Sequence, residues 1–296
     1  MRRLLPLLLA PVLLLTGCSA TDAAADGRIR VVTSTDVWGD VVAQIGGSAV
    51  SVDPLITDPG RDPHEHQADP RDQLSVSRAQ LVVVNGGGYD DFLEQLLKNA
   101  PAATEVVDAA DASGLDLHPA EGEFNEHLWY DLEAVSAVAG SIASELGRLD
   151  PAGRAGFTSR LERFRAGLDR LERVEASIRA TAEGEGVAIT EPVPLHMTEA
   201  LGLVNRTPPA FSAAVEDGGD VAPAVLRDQL ALLSGRRVAV LAYNEQTAGA
   251  TTDQVLAAAK QAGVPVVGVR ETVPDGKDYL QWMQDDLAAF RTALAR

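Results

Sequence analysis

The sequence predicts an α/β fold of two lobes, each built on a parallel sheet, joined by one long linker helix. Three observations predict it. Short β-branched runs alternate with amphipathic segments, the signature of β-α-β units. Two such sets flank one uninterrupted helical stripe. Hydrophobic residues make up 46% of the 296, enough to bury a sizeable core in one large or two modest domains.

In the first half the runs Ile29–Ser34, Val50–Ile56, Leu81–Asn85 and Glu105–Asp108 read as strands. Asp131 then reads as the N-cap of a helix from about Leu132 to Leu146. Over Pro151–Ala182, Leu161, Phe164, Leu168, Leu171, Val174 and Ile178 recur at three- and four-residue spacing, one apolar stripe along the linker helix. Asp150-Pro151 would supply its N-cap and first position, and Gly184-Glu185-Gly186 its stop. The second half offers strands at Val187–Thr190, Val238–Tyr243 and Val264–Val269, with a short one near Leu203. The expected divisions are an N-terminal lobe over 28–149, the linker helix over 150–183 and a C-terminal lobe over 184–296. Ligands of open α/β sheets bind beyond the carboxyl ends of strands, so the cleft between the lobes is the expected site. One rigid connecting helix predicts less hinge opening than several flexible crossovers.

Composition excludes several function classes. With 25 Lys+Arg against 43 Asp+Glu the formal charge is −18, which excludes a nucleic-acid partner. A single Cys excludes an internal disulfide and any multi-thiolate metal site. Aromatic content of 4% argues against a stacking platform for sugars or bases.

Residues 1–17 read as an export leader: Arg2 and Arg3, then an apolar run from Leu4 to Leu15 interrupted by Pro6 and Pro11. That run falls well short of the roughly 20 residues that span a bilayer. Leu15-Thr16-Gly17-Cys18 resembles the lipobox of bacterial lipoproteins, which implies cleavage before Cys18 and diacylglycerol on its thiol. Residues 18–27 would form a flexible tether. Loss of Arg2 and Arg3 leaves 23 basic against 43 acidic residues, a charge of −20. The expected location is extracytoplasmic, lipid-anchored to a membrane at the cell surface or in a periplasm.

Four motifs carry candidate chemistry. Asp62-Pro63-His64-Glu65-His66-Gln67 lies on a turn-rich loop beyond a strand, where a proline before His64 restrains the backbone. His64 and His66 would point opposite ways if extended, so one of them faces the cleft. His127, in Asn125-Glu126-His127-Leu128-Trp129-Tyr130-Asp131, enters the helix capped by Asp131. Glu191 leaves the strand Val187–Thr190, and Glu271 leaves Val264–Val269. A carboxylate leaving a buried strand into a cleft is costly unless a cation compensates it. Each motif alone also fits an ordinary role: exposed loop histidines, a packed histidine among aromatics, a surface Glu before a helix, an ion pair of Glu271 with Arg270. Together, two imidazoles and two carboxylates converging on one cleft would make an N2O2 site for a borderline divalent cation.

With those residues in view, the sequence resembles the metal-binding receptors of zinc/manganese ABC transporters, the cluster A-I solute-binding proteins. The resemblance covers most of residues 28–296 and rests on DPHEHQADPRD (62–72), NEHLWYD (125–131), ITEPVPLHMTEALGL (189–203), AYNEQT (242–247) and GVPVVGVRETVPDGKDYLQWM (263–283). It implies His64 and His127 as nitrogen ligands, Glu191 where members carry His or Glu, and Glu271 where many carry Asp and some Glu. His66 stands where an aromatic residue is frequent, and His196 follows five residues after Glu191; either is an alternative ligand, which leaves the third position open. The His- and acid-rich loop of zinc-type members shrinks here to residues 116–123, with His118 alone.

The resemblance implies a monomeric lipoprotein that binds Zn²⁺ or Mn²⁺ as cargo and hands it to a membrane permease. Raw affinity favours Zn²⁺, while two bidentate Glu would suit the higher coordination of Mn²⁺. Binding is expected to weaken as pH falls through the histidine range. Two other classes compete: a surface adhesin on the same scaffold, and a metallohydrolase with Glu126 or His66 as general base. The second lacks HExxH spacing and a nucleophile elbow.

Overall fold

The computed structural model describes residues 27–120 and 122–295. The leader, Cys18 and the tether up to residue 26 lie outside the described residues. The first half runs through β1 (Ile29–Thr35), α1 (Asp36–Gly46), β2 (Val50–Ile56), α2 (Pro70–Arg78), β3 (Leu81–Val84), α3 (Asp91–Leu97), β4 (Glu105–Asp108) and α4 (Ala109–Ser113). Helices α5 (Leu132–Leu149) and α6 (Arg154–Ala182) follow. The second half contains β5 (Gly186–Ile189), α7 (Leu195–Ala200), β6 (Val204–Asn205), α8 (Pro209–Glu216), α9 (Pro223–Ser234), β7 (Val240–Asn244), α10 (Ala250–Ala262), β8 (Val266–Val269) and α11 (Tyr279–Leu294). The sheets have orders β2-β1-β3-β4 and β6-β5-β7-β8, all parallel. The lobes are thus a structural repeat that the sequence does not display.

Alternating side chains divide each sheet between two apolar layers, as a strand period of two requires. Val31 and Val83 face the central core, whereas Val32, Val82 and Val84 pack outward with Val76 and Leu93. In the second sheet Val187, Ile189 and Val240 face the centre, and Ala188, Leu241 and Tyr243 pack against Phe211 and Val255. The central cluster is continuous across both lobes and includes Leu161, Phe164, Leu168, Leu171 and Ile178 of α6.

The linker helix starts later than its proline suggests. Residues 151–153 form a turn, and Asp150 closes α5 instead of opening α6. The Asp150 N–H bonds to Leu146 O at 2.8 Å, while its carbonyl accepts from Gly153 N–H at 3.1 Å and its Oδ1 from Ala152 N–H at 3.1 Å. A proline just past a helix end is as favourable as one at a helix start, so the same dipeptide serves either role.

Helix α11 is a second tie between the lobes. The Tyr279 hydroxyl donates to Trp129 O at 2.6 Å, and the Tyr279 N–H donates to Asp40 at 2.9 Å. The Tyr130 hydroxyl lies 3.1 Å from Asp286 and donates to Arg270 O at 3.0 Å. Among the described residues, no helix is long and apolar enough to cross a membrane.

Candidate metal centre

The loop after β2 turns at Asp58, whose side chain accepts from Gly60 N–H at 2.9 Å. Asp62 then caps a single 3-10 turn, Pro63–Glu65, by accepting from His64 N–H at 2.8 Å. His64 is held edge-on to the Tyr89 ring at 4.6 Å. His127 precedes the turn Leu128–Tyr130, ahead of α5 and its Asp131 cap. It is completely buried, edge-on to Trp129 at 5.2 Å and to Tyr89 at 5.9 Å. Its Nδ1 lies 2.8 Å from Asn125 Oδ1. An amide oxygen there holds the proton on Nδ1 and leaves the Nε2 lone pair facing the cleft.

The second lobe supplies oxygens. Glu271, just past β8, is 1% exposed and held on several sides. Its Oε1 accepts from Asn244 Nδ2 at 2.8 Å, its Oε2 from the Tyr89 hydroxyl at 3.1 Å, and its N–H donates to Gln246 at 2.6 Å. Oε2 sits 3.5 Å from the Nε2 atoms of both His64 and His127. Each residue of the trio His64, His127 and Glu271 offers a ligand atom within 4.8 Å of the others. A second trio of the same span consists of His64, Glu126 and Glu216. Glu216 Oε1 lies 3.3 Å from His64 Nε2 and 3.4 Å from His127 Nε2. Neither Nε2 has a hydrogen-bond partner, although both are buried.

The other expected ligands stand differently. Glu191 is buried just past β5, but it belongs to neither trio and accepts a short hydrogen bond from the Thr247 hydroxyl. His66 lies 3.1 Å from Asp72 and packs on the Phe92 ring at 4.6 Å. His196 Nε2 is 3.0 Å from Asn125 O, an acceptor that only a protonated ring nitrogen can meet. That contact, with Asn125 Nδ2 donating to Pro192 O at 3.2 Å, makes His196 part of a strap between the lobes.

Charges in the cluster settle one another. Burial opposes a proton on His64, but Glu216, Glu271 and Asp62 outweigh it and push its pKa up to about 9. Burial likewise opposes charge on His127, and Glu271 and Glu216 overcome it, so its pKa also rises. Burial would raise Glu271, yet His127, His64 and Asn244 hold it below the usual carboxylate range. Glu191 has no imidazole beside it: burial lifts its pKa to about 8, with the charges of Glu271 and Glu216 adding to the rise and the Thr247 hydrogen bond opposing it. The cluster is thus a buried set of nitrogen and oxygen donors that can trade a proton for a cation.

A family model described as "ZnuA: Zinc-uptake complex component A periplasmic" matches residues 31–293. The chain belongs to that family. Among curated relatives, the "Manganese-binding lipoprotein MntA" of Halalkalibacterium halodurans is 31% identical over 163 residues, 54% of each chain. The match spans about half the length of the curated relatives. Among solved structures, the periplasmic zinc-binding protein TroA from Treponema pallidum superposes with a TM-score of 0.78 at 20% identity, covering 91% of this chain and 100% of that one. The laminin-binding protein Lmb of Streptococcus agalactiae, titled as bifunctional with adhesin and metal transporting activity, gives 0.76 at 19% identity over 90% and 99%. These likenesses establish the two-lobed fold with its long helix.

Within this zinc-uptake component A family member, Glu216 is the residue near the imidazoles that the motifs did not single out. It reads in sequence as an acidic helix end followed by Asp217-Gly218-Gly219. Its one physical signal is that a carboxylate at a helix C-terminus opposes the macrodipole, by about 0.3–1 kcal/mol.

Proposed function

We propose that this protein captures a divalent transition-metal cation, Zn²⁺ or Mn²⁺, between its lobes and delivers it to the permease of an ABC transporter. The observation that carries the reading is the pair of buried imidazole Nε2 atoms, without hydrogen-bond partners, facing the buried Glu271 carboxylate. Such a set is costly without a cation and satisfied by one. His64, His127 and Glu271 are the ligands of this reading, with a further carboxylate from the second lobe completing the set. The names of the relatives, metal-binding lipoproteins of ABC transporters, support the same assignment. The wider reading is a monomer with lobes over 28–149 and 184–296, anchored by lipid on Cys18.

A receptor fits better than an enzyme, because the matching family is described as a zinc-uptake component and His66, one of the two candidate bases, stands outside both trios of converging donors. An adhesin role alone would leave the buried cluster without a purpose. Metal analysis of the purified protein, with Zn²⁺ and Mn²⁺ titrations of the wild type and of His64→Ala plus His127→Ala, tests this. The wild type is expected to hold one ion per chain and the double variant none. A wild type that binds neither ion would end the proposal.

A further inference from the structure

We infer that Glu216, at the C-terminal end of α8, is the carboxylate that closes the site over the ion opposite Glu271, in place of Glu191. The inference rests on the reading of the cleft as a metal site and names its fourth ligand. Four observations carry it. Glu216 Oε1 lies 3.3 and 3.4 Å from the two imidazole Nε2 atoms, nearer than Glu271 Oε2, which is 3.5 Å from each. Both oxygens of Glu216 are buried and make no hydrogen bond, so nothing but the imidazoles answers their charge. Glu216 ends α8 with Asp217 next in sequence, where the helix macrodipole and a neighbouring carboxylate both disfavour a negative charge. Glu191, by contrast, already accepts from Thr247 and lies outside both trios of converging donors.

The ligand count also balances charge. Two neutral imidazoles with the carboxylates of Glu216 and Glu271 neutralise a divalent cation without a third acid.

Where Glu216 sits suggests how the ion leaves. Past α8 the chain reverses over Gly218, whose φ of 62° is left-handed, with Gly218 N–H bonding to Val215 O at 3.0 Å and Gly219 N–H to Ala214 O at 2.8 Å. A short helix ending in a glycine turn can withdraw one carboxylate while both sheets and the shared core stay in place. Glu271, tied to Asn244, Gln246 and Tyr89, cannot move so independently.

The test is Zn²⁺ titration of the purified full chain in competition with a chelator, for wild type, E216Q, E191Q and H127A, with the melting temperature of each metal-free protein. E216Q is expected to weaken Zn²⁺ binding about 100-fold or more, the share of one ligand in a four-ligand zinc site. E191Q should stay within about threefold of wild type, as for a residue outside the ligand set. E216D keeps the charge but draws the carboxylate back by one methylene; it should weaken binding with the metal-free melting temperature unchanged, which covers a failure of E216Q to fold. Loss of binding in E191Q with wild-type affinity in E216Q would overturn the assignment. Wild-type affinity in H127A would overturn the metal-site reading itself, and with it this inference.

Discussion

The two lobes repeat one strand order yet arm the cleft in opposite ways. The first presents imidazoles, set by ring packing and, for His127, one hydrogen bond to Asn125. The second presents carboxylates, and Glu271 is set by a web from Asn244, Gln246 and, across the cleft, Tyr89. The difference follows from what each donor must avoid. A nitrogen donor must keep its lone pair free, so contacts on its other faces suffice. An oxygen donor must stay charged while buried, which requires hydrogen-bond donors around it, as for Glu271, or imidazoles beside it, as for Glu216. Tyr89 serves both sides, since its ring meets His64 and its hydroxyl meets Glu271.

The sharpest way to break this contrast is to remove one donor from each side. His127→Ala and Glu271→Ala should each cost Zn²⁺ affinity two to three powers of ten, roughly one ligand's share of a four-ligand zinc site. Both should lower the melting temperature of the metal-free protein: His127→Ala leaves a cavity among aromatic rings, and Glu271→Ala has a further cost. It strands the buried Asn244 amide, worth about 1–3 kcal/mol. Calorimetry of both metal-free variants decides the point. Equal melting temperatures would show that the hydrogen-bond web holds the carboxylate without depending on it.

Protons provide the next test. Because the carboxylates push His64 up to about 9, the metal-free cluster carries a proton that an arriving cation must displace. Zn²⁺ affinity should therefore rise with pH until about 9, by at most about tenfold per unit for each proton released. Between pH 6 and 8 that amounts to ~100-fold from His64 alone. The stabilising contact runs the other way in the metal-free protein. It is complete below the ordinary imidazole value of 6.5 and is lost as pH rises through about 9. Titrations in buffers of different ionisation enthalpy count the released proton directly, and zero release at pH 7.5 would exclude His64 as a ligand.

Much of this arrangement was legible because it is local. The β-branched runs gave the strands to within a residue or two, and Asp131 caps α5 as its position predicts, accepting from Ala134 N–H at 2.8 Å. The misread start of α6 had a local cause too, since Asp-Pro suits a helix end as well as a beginning. His64, His127 and Glu271 stood out because each follows a strand or precedes a capped helix, at the cleft edge of an open sheet. Glu216 did not, because its environment is made by residues about 90 and 150 positions earlier in the chain and no spacing rule connects them. The same holds for His196, an alternative ligand in the sequence: its partner in the structure, the carbonyl of Asn125, is invisible in a motif.

Asn125 touches both lobes, and its effect should be smaller. Asn125→Ala frees Nδ1 of His127, allowing the ring to turn or change tautomer, and should weaken Zn²⁺ binding about 10- to 100-fold, the range for partners that orient a metal-ligating histidine. Asn125→Asp retains an acceptor and should recover most of the affinity. Failure of the aspartate to rescue would mean that Asn125 matters through its bond to Pro192 O instead.

The smallest effect is expected at Glu175, where α6 buries a carboxyl among other acids. Its Oε1 has no hydrogen-bond partner, and burial, with Glu172, Asp131 and Glu133 nearby, lifts its pKa to about 8. Glu175 is therefore what a buried acid looks like in this protein without the compensation that Glu271 receives. Because its folded pKa lies above the ordinary 4.5, the folded chain keeps a proton that the unfolded chain gives up, and stability falls as pH rises from about 4.5 to about 8. Glu175→Gln removes that slope. At pH 8 it should raise the metal-free melting temperature by a few degrees, corresponding to about 1–2 kcal/mol, and leave Zn²⁺ affinity unchanged. An unchanged pH slope of stability would place the alkaline sensitivity at another buried acid, of which Asp286, raised to about 7 by burial, is the next in line. A change in Zn²⁺ affinity would instead mean that α6 transmits strain between the lobes, so that the two sides of the cleft are set jointly rather than each by its own contacts.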